Sequence, residues 1–183
     1  MQKTLSKLAL PLGLVFLTAL ARLIPHAPNL APVAALALLG GSFYKFPKSL
    51  IMPLGAMAIS DLIIGFSPWP ITLSVYGSFT IIALVGTFLR QPKIWKLPLT
   101  ALSSSLLFYI ITNFAVWLTS GMYQQTFQGL VYCYINALPF LKNTIIGDFA
   151  YTIIIFLVLN YSAQFLHAFQ ASKTSNKRTV FSI

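Results

Sequence analysis

The only two acidic residues of this 183-residue chain, Asp61 and Asp148, lie in strongly apolar segments, "AISDLIIGF" and "TIIGDFAYTIII". Two carboxylates that approach to about 3 Å can share a proton and activate a water molecule. A single carboxylate in such a setting instead needs a cation or a ligand, because leaving it unpaired inside a bilayer costs several kcal/mol. Both uses require polar groups from other segments of the chain.

Few basic residues are placed to meet these carboxylates. Arg22 and His26 follow the first apolar run, and Lys142 shortly precedes Asp148. Arg22 is the better partner, because a guanidinium can bind a carboxylate through two parallel hydrogen bonds. We therefore expect Arg22 and Lys142 to neutralise Asp61 and Asp148 at the outer rim of a cavity.

The segments that carry these residues have the composition of a membrane protein. Hydrophobic residues make up 57% of the chain and charged residues 8%, whereas soluble domains are about 25% charged. Several apolar runs approach the roughly 20 residues that cross a bilayer as a helix. The sequence predicts an all-α integral membrane protein with six transmembrane helices, at about 8–24, 31–44, 50–66, 71–89, 97–118 and 144–166.

The longest predicted connection, residues 119–143, contains the apolar stretch "GLVYCYINALPFL". Its thirteen residues are too few to cross the hydrocarbon core, so it predicts a short re-entrant or interfacial helix before the last span. A seventh span would also move the basic C-terminal tail to the outside, against the positive-inside rule.

The positions of the basic residues predict the orientation. With six spans and both termini in the cytoplasm, only Arg22 and Lys142 of the twelve Lys and Arg residues fall outside, as the positive-inside rule favours. We expect a multi-pass protein of the bacterial cytoplasmic (inner) membrane, with one six-helix transmembrane domain over residues 1–170 and a basic cytoplasmic tail over 171–183. The net charge of +10 then reflects topology, and the expected surroundings are the lipid bilayer and no nucleic acid.

Motifs for catalysis and for cofactors are missing from the sequence. A single cysteine, Cys133, rules out an internal disulfide and a multi-cysteine metal site. No phosphate-binding glycine loop, HExxH or GxSxG motif occurs. An intramembrane aspartyl protease would need Gly where Ile145 stands in a G-x-G-D pattern. We expect no enzyme activity, no cofactor and no resident metal.

Polar residues are predicted to converge at the outer ends of the helices. Residues 105–117 place several polar and aromatic side chains at helical spacing, and the outer loops are rich in Pro, aromatic residues and amides. This pattern predicts a pocket that opens outward beneath the loops, although such residues at helix ends also serve packing alone. The candidate ligand-binding residues are Arg22, His26, Asn29, Asp61, Asn113, Trp117, Tyr134, Asn143 and Asp148.

Small residues mark one face of the second predicted helix. Ala31 and Ala35 form an A-x-x-x-A pattern, and this spacing lets another helix approach closely. The contact is made either by another helix of the same bundle or by a separate membrane partner that docks on this face.

Several segments match a known pattern: "RLIPHAPNLAPVAALALLGG", "PLGAMAISDLIIGF", "TNFAVWL" and "GLVYCYINALPFLKNTIIGD". Over about residues 20–155, the chain resembles a family of uncharacterised small bacterial membrane proteins. That family in turn resembles, in fold, the substrate-binding S components of energy-coupling-factor (ECF) vitamin transporters. The resemblance implies six helices, cytoplasmic termini, a pocket for a vitamin or a metal ion beneath the outer loops, and a transmembrane coupling subunit with two ATPases as partners.

The leading interpretation is therefore an S-component-like protein that binds a small nutrient, a vitamin-like molecule or a metal ion, from the outer side for uptake. The first alternative is a structural or scaffold membrane protein without a ligand. The intramembrane aspartyl protease is the least favoured alternative.

Overall fold

The structure, a computed structural model, describes residues 2–89 and 93–180, with side chains for 9–89, 93–158, 160 and 161. The described residues form six α-helices: α1 (Gln2–Leu23), α2 (Val33–Phe43), α3 (Lys48–Ile64), α4 (Trp69–Phe88), α5 (Leu97–Thr119) and α6 (Phe127–Val180). A 3-10 turn at Ile94–Lys96 precedes α5. The described residues contain no strand, so the all-α prediction is confirmed for this part of the chain.

Three helical segments are long and apolar enough to cross a membrane: Trp69–Phe88, Ile94–Thr119 and Phe127–Val158. Shorter apolar helical segments lie at Ala9–Leu23 and Val33–Phe43. Many large apolar side chains are exposed on the outside of the bundle, which suits contact with lipid better than contact with water. The finer prediction of six spans with both termini in the cytoplasm stays a prediction.

The predicted re-entrant or interfacial helix before the last span is wrong, because α6 is continuous from Phe127 to Val180. Residues 129–141 form its first part, and the connection after α5 shrinks to residues 120–126. Pro139 lies inside α6, and membrane helices tolerate proline because neighbouring groups replace the lost backbone hydrogen bond. The prediction judged residues 129–141 by their own length. In the structure, contacts with α5 stabilise this segment as part of a longer helix.

Helix α2 lies at the centre of the bundle and contacts all five other helices. Its residues from Val33 to Ser42 are all buried, as expected for a helix that is apolar on every side. With 11 residues, α2 is about 16 Å long, about half of the roughly 30 Å hydrocarbon core of a bilayer. α2 is therefore about half as long as a helix that spans a bilayer.

Two glycines allow the close packing of α2 on α4. A Cβ atom added at Gly41 would collide with the backbone of Ala83 and Gly86, and one added at Gly86 would collide with the Leu38 carbonyl oxygen. Small residues let helix backbones approach in this way in other membrane proteins. The crossing fixes the position of α2 beside α4.

The loop between α1 and α2, residues 24–32, is ordered by its own contacts and by α6. Its three prolines disfavour helix. His26 Nδ1 lies 2.6 Å from the Ile24 carbonyl oxygen. Asn143 of α6 donates a side-chain hydrogen bond to the Pro28 carbonyl oxygen over 3.2 Å, so α6 holds the loop in place near the first turn of α2.

Candidate functional site

A charged cluster joins α1, α3 and α4. Arg22 in the last turn of α1 makes an ion pair with Asp61 in the last turn of α3, with 2.5 Å between Nη2 and Oδ1. Tyr76 of α4 donates a hydrogen bond to Oδ2 of Asp61 over 2.9 Å, and Nη1 of Arg22 contacts the Met57 sulfur. The expected pair of Arg22 with Asp61 is therefore present, and side chains from two helices satisfy both oxygens of this carboxylate.

Asp148 on α6 is the more deeply buried carboxylate, with 2% of its surface exposed. Ser105 on α5 donates a hydrogen bond to its Oδ2 over 2.6 Å, and the same hydroxyl oxygen lies 3.1 Å from the Ala101 carbonyl oxygen. Among the described residues, Asp148 takes part in no salt bridge. Asp148 therefore has one hydroxyl donor and no cationic partner among the described residues, whereas Asp61 has a guanidinium and a phenol.

The predicted pairing of Lys142 with Asp148 is wrong. Both residues lie on the continuous helix α6, and six positions turn a helix by about 240°, so the two side chains leave from different faces. Lys142 is exposed, whereas Asp148 is buried. The prediction placed Lys142 in a loop, which would have been free to bring the ammonium group to the carboxylate.

No hydrogen bond joins the two aspartates in the described part of the chain. Asp61 is bound by Arg22 and Tyr76, and Asp148 by Ser105. A catalytic carboxylate dyad requires the two groups to share a proton across about 3 Å. This arrangement of partners therefore gives no support to the aspartyl protease alternative.

Both aspartates line one cavity of about 350 Å³, whose wall receives residues from all six helices. The wall also includes the exposed loop residues His26 and Asn29, so the cavity reaches the surface of the protein. Its apolar part includes the stacked rings of Phe79 and Phe108, whose centroids are 5.1 Å apart. Pockets for small molecules span about 300–1,000 Å³, so this volume suits a compact ligand.

The cavity brings together part of the predicted set of site residues. Predicted residues in its wall are Arg22, His26, Asn29, Asp61 and Asp148, together with Ala31. Asn29 has a φ of 64°, a left-handed conformation that few non-glycine residues adopt. Their position in one wall is compatible with ligand binding, and the binding role itself stays a prediction.

Three other predicted residues make hydrogen bonds within α5, to the loop after α5, or between α5 and α6. The Tyr134 hydroxyl donates to a backbone carbonyl of α5 over 2.7 Å, and the Tyr134 carbonyl accepts from the Tyr109 hydroxyl over 2.5 Å. The Asn113 amide donates to the Tyr109 carbonyl oxygen, one turn earlier. Trp117 Nε1 donates to the Gln124 carbonyl oxygen over 3.0 Å. These groups use their hydrogen bonds for packing and lie outside the cavity wall.

The remaining two predicted residues also have packing contacts. Asn143 holds the loop above the cavity through the Pro28 carbonyl oxygen. Ala35 is 1% exposed and belongs to a buried apolar cluster that includes Leu36 and Leu39. Ala35 therefore packs against other helices of the same bundle. This is the first of the two interpretations of the A-x-x-x-A pattern, the other being contact with a separate membrane partner.

Several residues of the site escape prediction from the sequence. Tyr76, Phe79 and Phe108 lie inside continuous apolar runs, where periodicity does not distinguish a cavity wall from a core or a lipid-facing position. Ser105 has the helical spacing noted above, but its contact with Asp148 depends on how α5 packs on α6. Among Tyr76, Phe79 and Phe108, only Tyr76 has a polar group that could have drawn attention to it.

Fold and site together define a helical protein with membrane-length helices and a cavity that is partly charged and partly apolar. The chain belongs to DUF6580, a family of unknown function whose sequence profile matches residues 2–170. This agrees with the resemblance to an uncharacterised family. No curated protein and no solved structure matches the chain.

Proposed function

We propose that this protein binds a small nutrient from the outer side of the bacterial cytoplasmic membrane for uptake, in the manner of an ECF S component. The observation that best supports the proposal is the cavity whose wall holds both acidic residues of the chain. Multi-pass insertion with cytoplasmic termini is part of the proposal. The distribution of basic residues and the three membrane-length helices support it.

The polar wall of the cavity offers groups that a ligand can bind. Because the cavity reaches the surface, water can enter it without a ligand and solvate the charged side chains Arg22, Asp61 and Asp148. A bound molecule releases this water and replaces its hydrogen bonds with contacts of its own. Ligand is therefore expected to raise the unfolding free energy by RT ln(1 + [L]/Kd).

Binding in this cavity needs no chemical step. The polar side chains orient the ligand through hydrogen bonds, and the rings of Phe79 and Phe108 contact its apolar part. Release to the other side requires a second conformation, and a ligand shifts such an equilibrium only by its difference in affinity for the two states. A transmembrane coupling subunit and ATPases are the proposed partners for this step, because the sequence contains no phosphate-binding loop.

The proposal is tested by identifying what the purified protein carries. Protein purified in mild detergent is denatured, and the released small molecules are identified by mass spectrometry. The variant Ala34→Leu adds volume at a buried position of the cavity wall, and Ala150→Leu makes the same change at an exposed position of α6. We expect a stoichiometric small molecule from the wild type and from Ala150→Leu, and none from Ala34→Leu.

Thermal unfolding completes the test. Both variants are first compared in size-exclusion profile, so that a misfolded Ala34→Leu protein is recognised, and Val75→Phe serves as a second filling variant from another helix. A panel of vitamins, metal ions and choline is then added to wild type. An empty extract together with no stabilisation by any compound of the panel would overturn the proposal.

A structural or scaffold role is the second candidate, and the Arg22–Asp61–Tyr76 contacts favour it, since they tie three helices together without a ligand. This role predicts that Asp61→Asn lowers thermal stability while no small molecule changes it. The nutrient-binding proposal predicts a ligand that stabilises the wild type and is excluded by Ala34→Leu.

A further inference from the structure

We infer that the ligand of this cavity is a small organic cation, bound by the carboxylate of Asp148 and by the aromatic faces of Phe79 and Phe108. The inference rests on the proposed function, because it names the chemical class of the molecule that the cavity takes. Three features of the cavity support it: the balance of charges in the wall, the Asp148 oxygen to which the described residues donate no hydrogen bond, and the aromatic and apolar side chains nearby.

The charge count of the cavity wall leaves one negative charge. The formally charged side chains in the wall are Arg22, Asp61 and Asp148, one positive and two negative. Arg22 and Asp61 neutralise each other in an ion pair. His26, the only other ionisable group of the wall besides Tyr76, is exposed in the loop. When it is ionised, Asp148 carries the one formal charge that the other side chains of the wall leave unbalanced.

The surroundings of Asp148 leave room for a cationic partner. Ser105 binds Oδ2, and the described residues offer no hydrogen bond to Oδ1. The first turn of α2, with Val33 and Ala34, contributes to the same wall, and a helix N-terminus carries a partial positive charge of about half a unit. A partial charge of this size can balance at most about half of a carboxylate's charge, which leaves the rest for a ligand cation.

The remaining wall suits an organic cation better than a metal ion. Phe79 and Phe108 are stacked with an angle of 24° between their rings, and aromatic faces attract ammonium groups within about 6 Å. Val75 and Met57 add apolar surface. Divalent cations instead prefer several oxygen ligands, and the described residues contain no group of three or more His, Cys, Asp or Glu side chains.

The test compares two molecules of nearly the same shape that differ in charge. Choline chloride and its uncharged carbon analogue 3,3-dimethylbutan-1-ol are titrated against wild-type protein in detergent, with thermal unfolding as the readout. Sodium chloride at equal concentration controls for inorganic cations and ionic strength. We expect stabilisation by choline alone. Asp148→Asn, which keeps the shape of the side chain, is expected to weaken choline binding by about 30-fold or more.

Two further variants separate binding from folding. Phe79→Leu removes one aromatic face and is expected to weaken choline binding while leaving its dependence on Asp148 intact. Ser104→Ala alters a buried hydroxyl that bonds only within α5 and is expected to leave choline binding unchanged. If Asp148→Asn does not fold, the charge of the molecule extracted from wild type decides instead, and a cation supports the inference.

Distinct results overturn the inference and the proposed function. A neutral or anionic molecule in the extract, or equal stabilisation by choline and its uncharged analogue, would overturn the cation assignment and leave the cavity a binding site. A sodium effect equal to that of choline and lost in Asp148→Asn would assign the site to an inorganic cation instead. An empty extract and no response to any compound would overturn both.

Discussion

At Asp61, one carboxylate binds a guanidinium and a phenol from two other helices. Asp61→Asn leaves the Arg22 charge without its partner in a largely buried position, and breaking such a pair costs about 3 kcal/mol. Tyr76→Phe removes one hydrogen bond to the same carboxylate and leaves the ion pair, at about 1.5 kcal/mol. Thermal unfolding in detergent should show a larger loss of stability for Asp61→Asn than for Tyr76→Phe. Equal losses would contradict the conclusion that the ion pair is the stronger of the two contacts.

Neighbouring serines on α5 offer a matched comparison. Ser105 donates to Asp148, whereas Ser104 is also buried but bonds to a backbone carbonyl one turn earlier. Ser105→Ala removes a hydrogen bond to a charged group, so we expect it to lower the unfolding free energy by about 2 kcal/mol. Ser104→Ala is expected to cost less than half as much. The reverse order in denaturation experiments would show that Asp148 does not depend on this hydroxyl.

The residue scale is also where prediction from the sequence succeeds and fails most clearly. Arg22 and Asp61 could be paired because so few charges occur in the apolar segments, and an uncompensated one is costly. Phe79 and Phe108 could not be found, because an aromatic residue in an apolar run has the same pattern in a core, in a cavity or against lipid. Lys142 was placed wrongly because the prediction assigned it to a loop, whereas it lies inside α6.

At the scale of elements, the crossing of α2 and α4 should be intolerant of a single methyl group. Gly86→Ala places a Cβ atom against the Leu38 carbonyl oxygen, and overpacking of this kind costs about 1–3 kcal/mol or more. Gly77, on the same helix, has no atom within 4 Å of an added Cβ. Gly77→Ala is therefore expected to be neutral or to stabilise α4 by up to about 1 kcal/mol. The unfolding transitions of Gly86→Ala and Gly77→Ala measure this difference.

Helix bounds were predictable where proline interrupts the chain. The breaks before α2, α3 and α4 coincide with Pro32, Pro47 and Pro68, because proline lacks the backbone N–H that a helix interior uses and is better tolerated where a helix starts. The start of α6 was missed because the apolar stretch at residues 129–141 is too short to span a bilayer by itself. In the structure this stretch continues through Pro139 into the next apolar segment and packs on α5. Long-range contacts of this kind are not contained in local periodicity.

At the scale of the whole molecule, the exposed apolar surface determines where the protein can reside. Leu106, near the middle of α5, is 40% exposed, and Met122, in the loop after α5, is 74% exposed. A lysine near the centre of a membrane helix costs about 3 kcal/mol. Leu106→Lys should therefore reduce the amount of protein in the membrane fraction, and Met122→Lys should not. Equal yields would indicate that α5 does not face lipid at Leu106.

The half length of α2 has a consequence for how the chain is assembled during synthesis. An apolar helix of 11 residues is too short to remain in a bilayer as a span of its own, and its most extensive contacts are with α4, which is made later. α2 should therefore become protected only after α4 has entered the membrane. Ribosome-bound chains that end before α4 are expected to leave α2 open to protease, and chains that extend beyond α4 are expected to shield it. Protection in the shorter chains would mean that α1 and α3 are enough to hold α2 in the membrane, and that the bundle does not wait for α4 before it closes around α2.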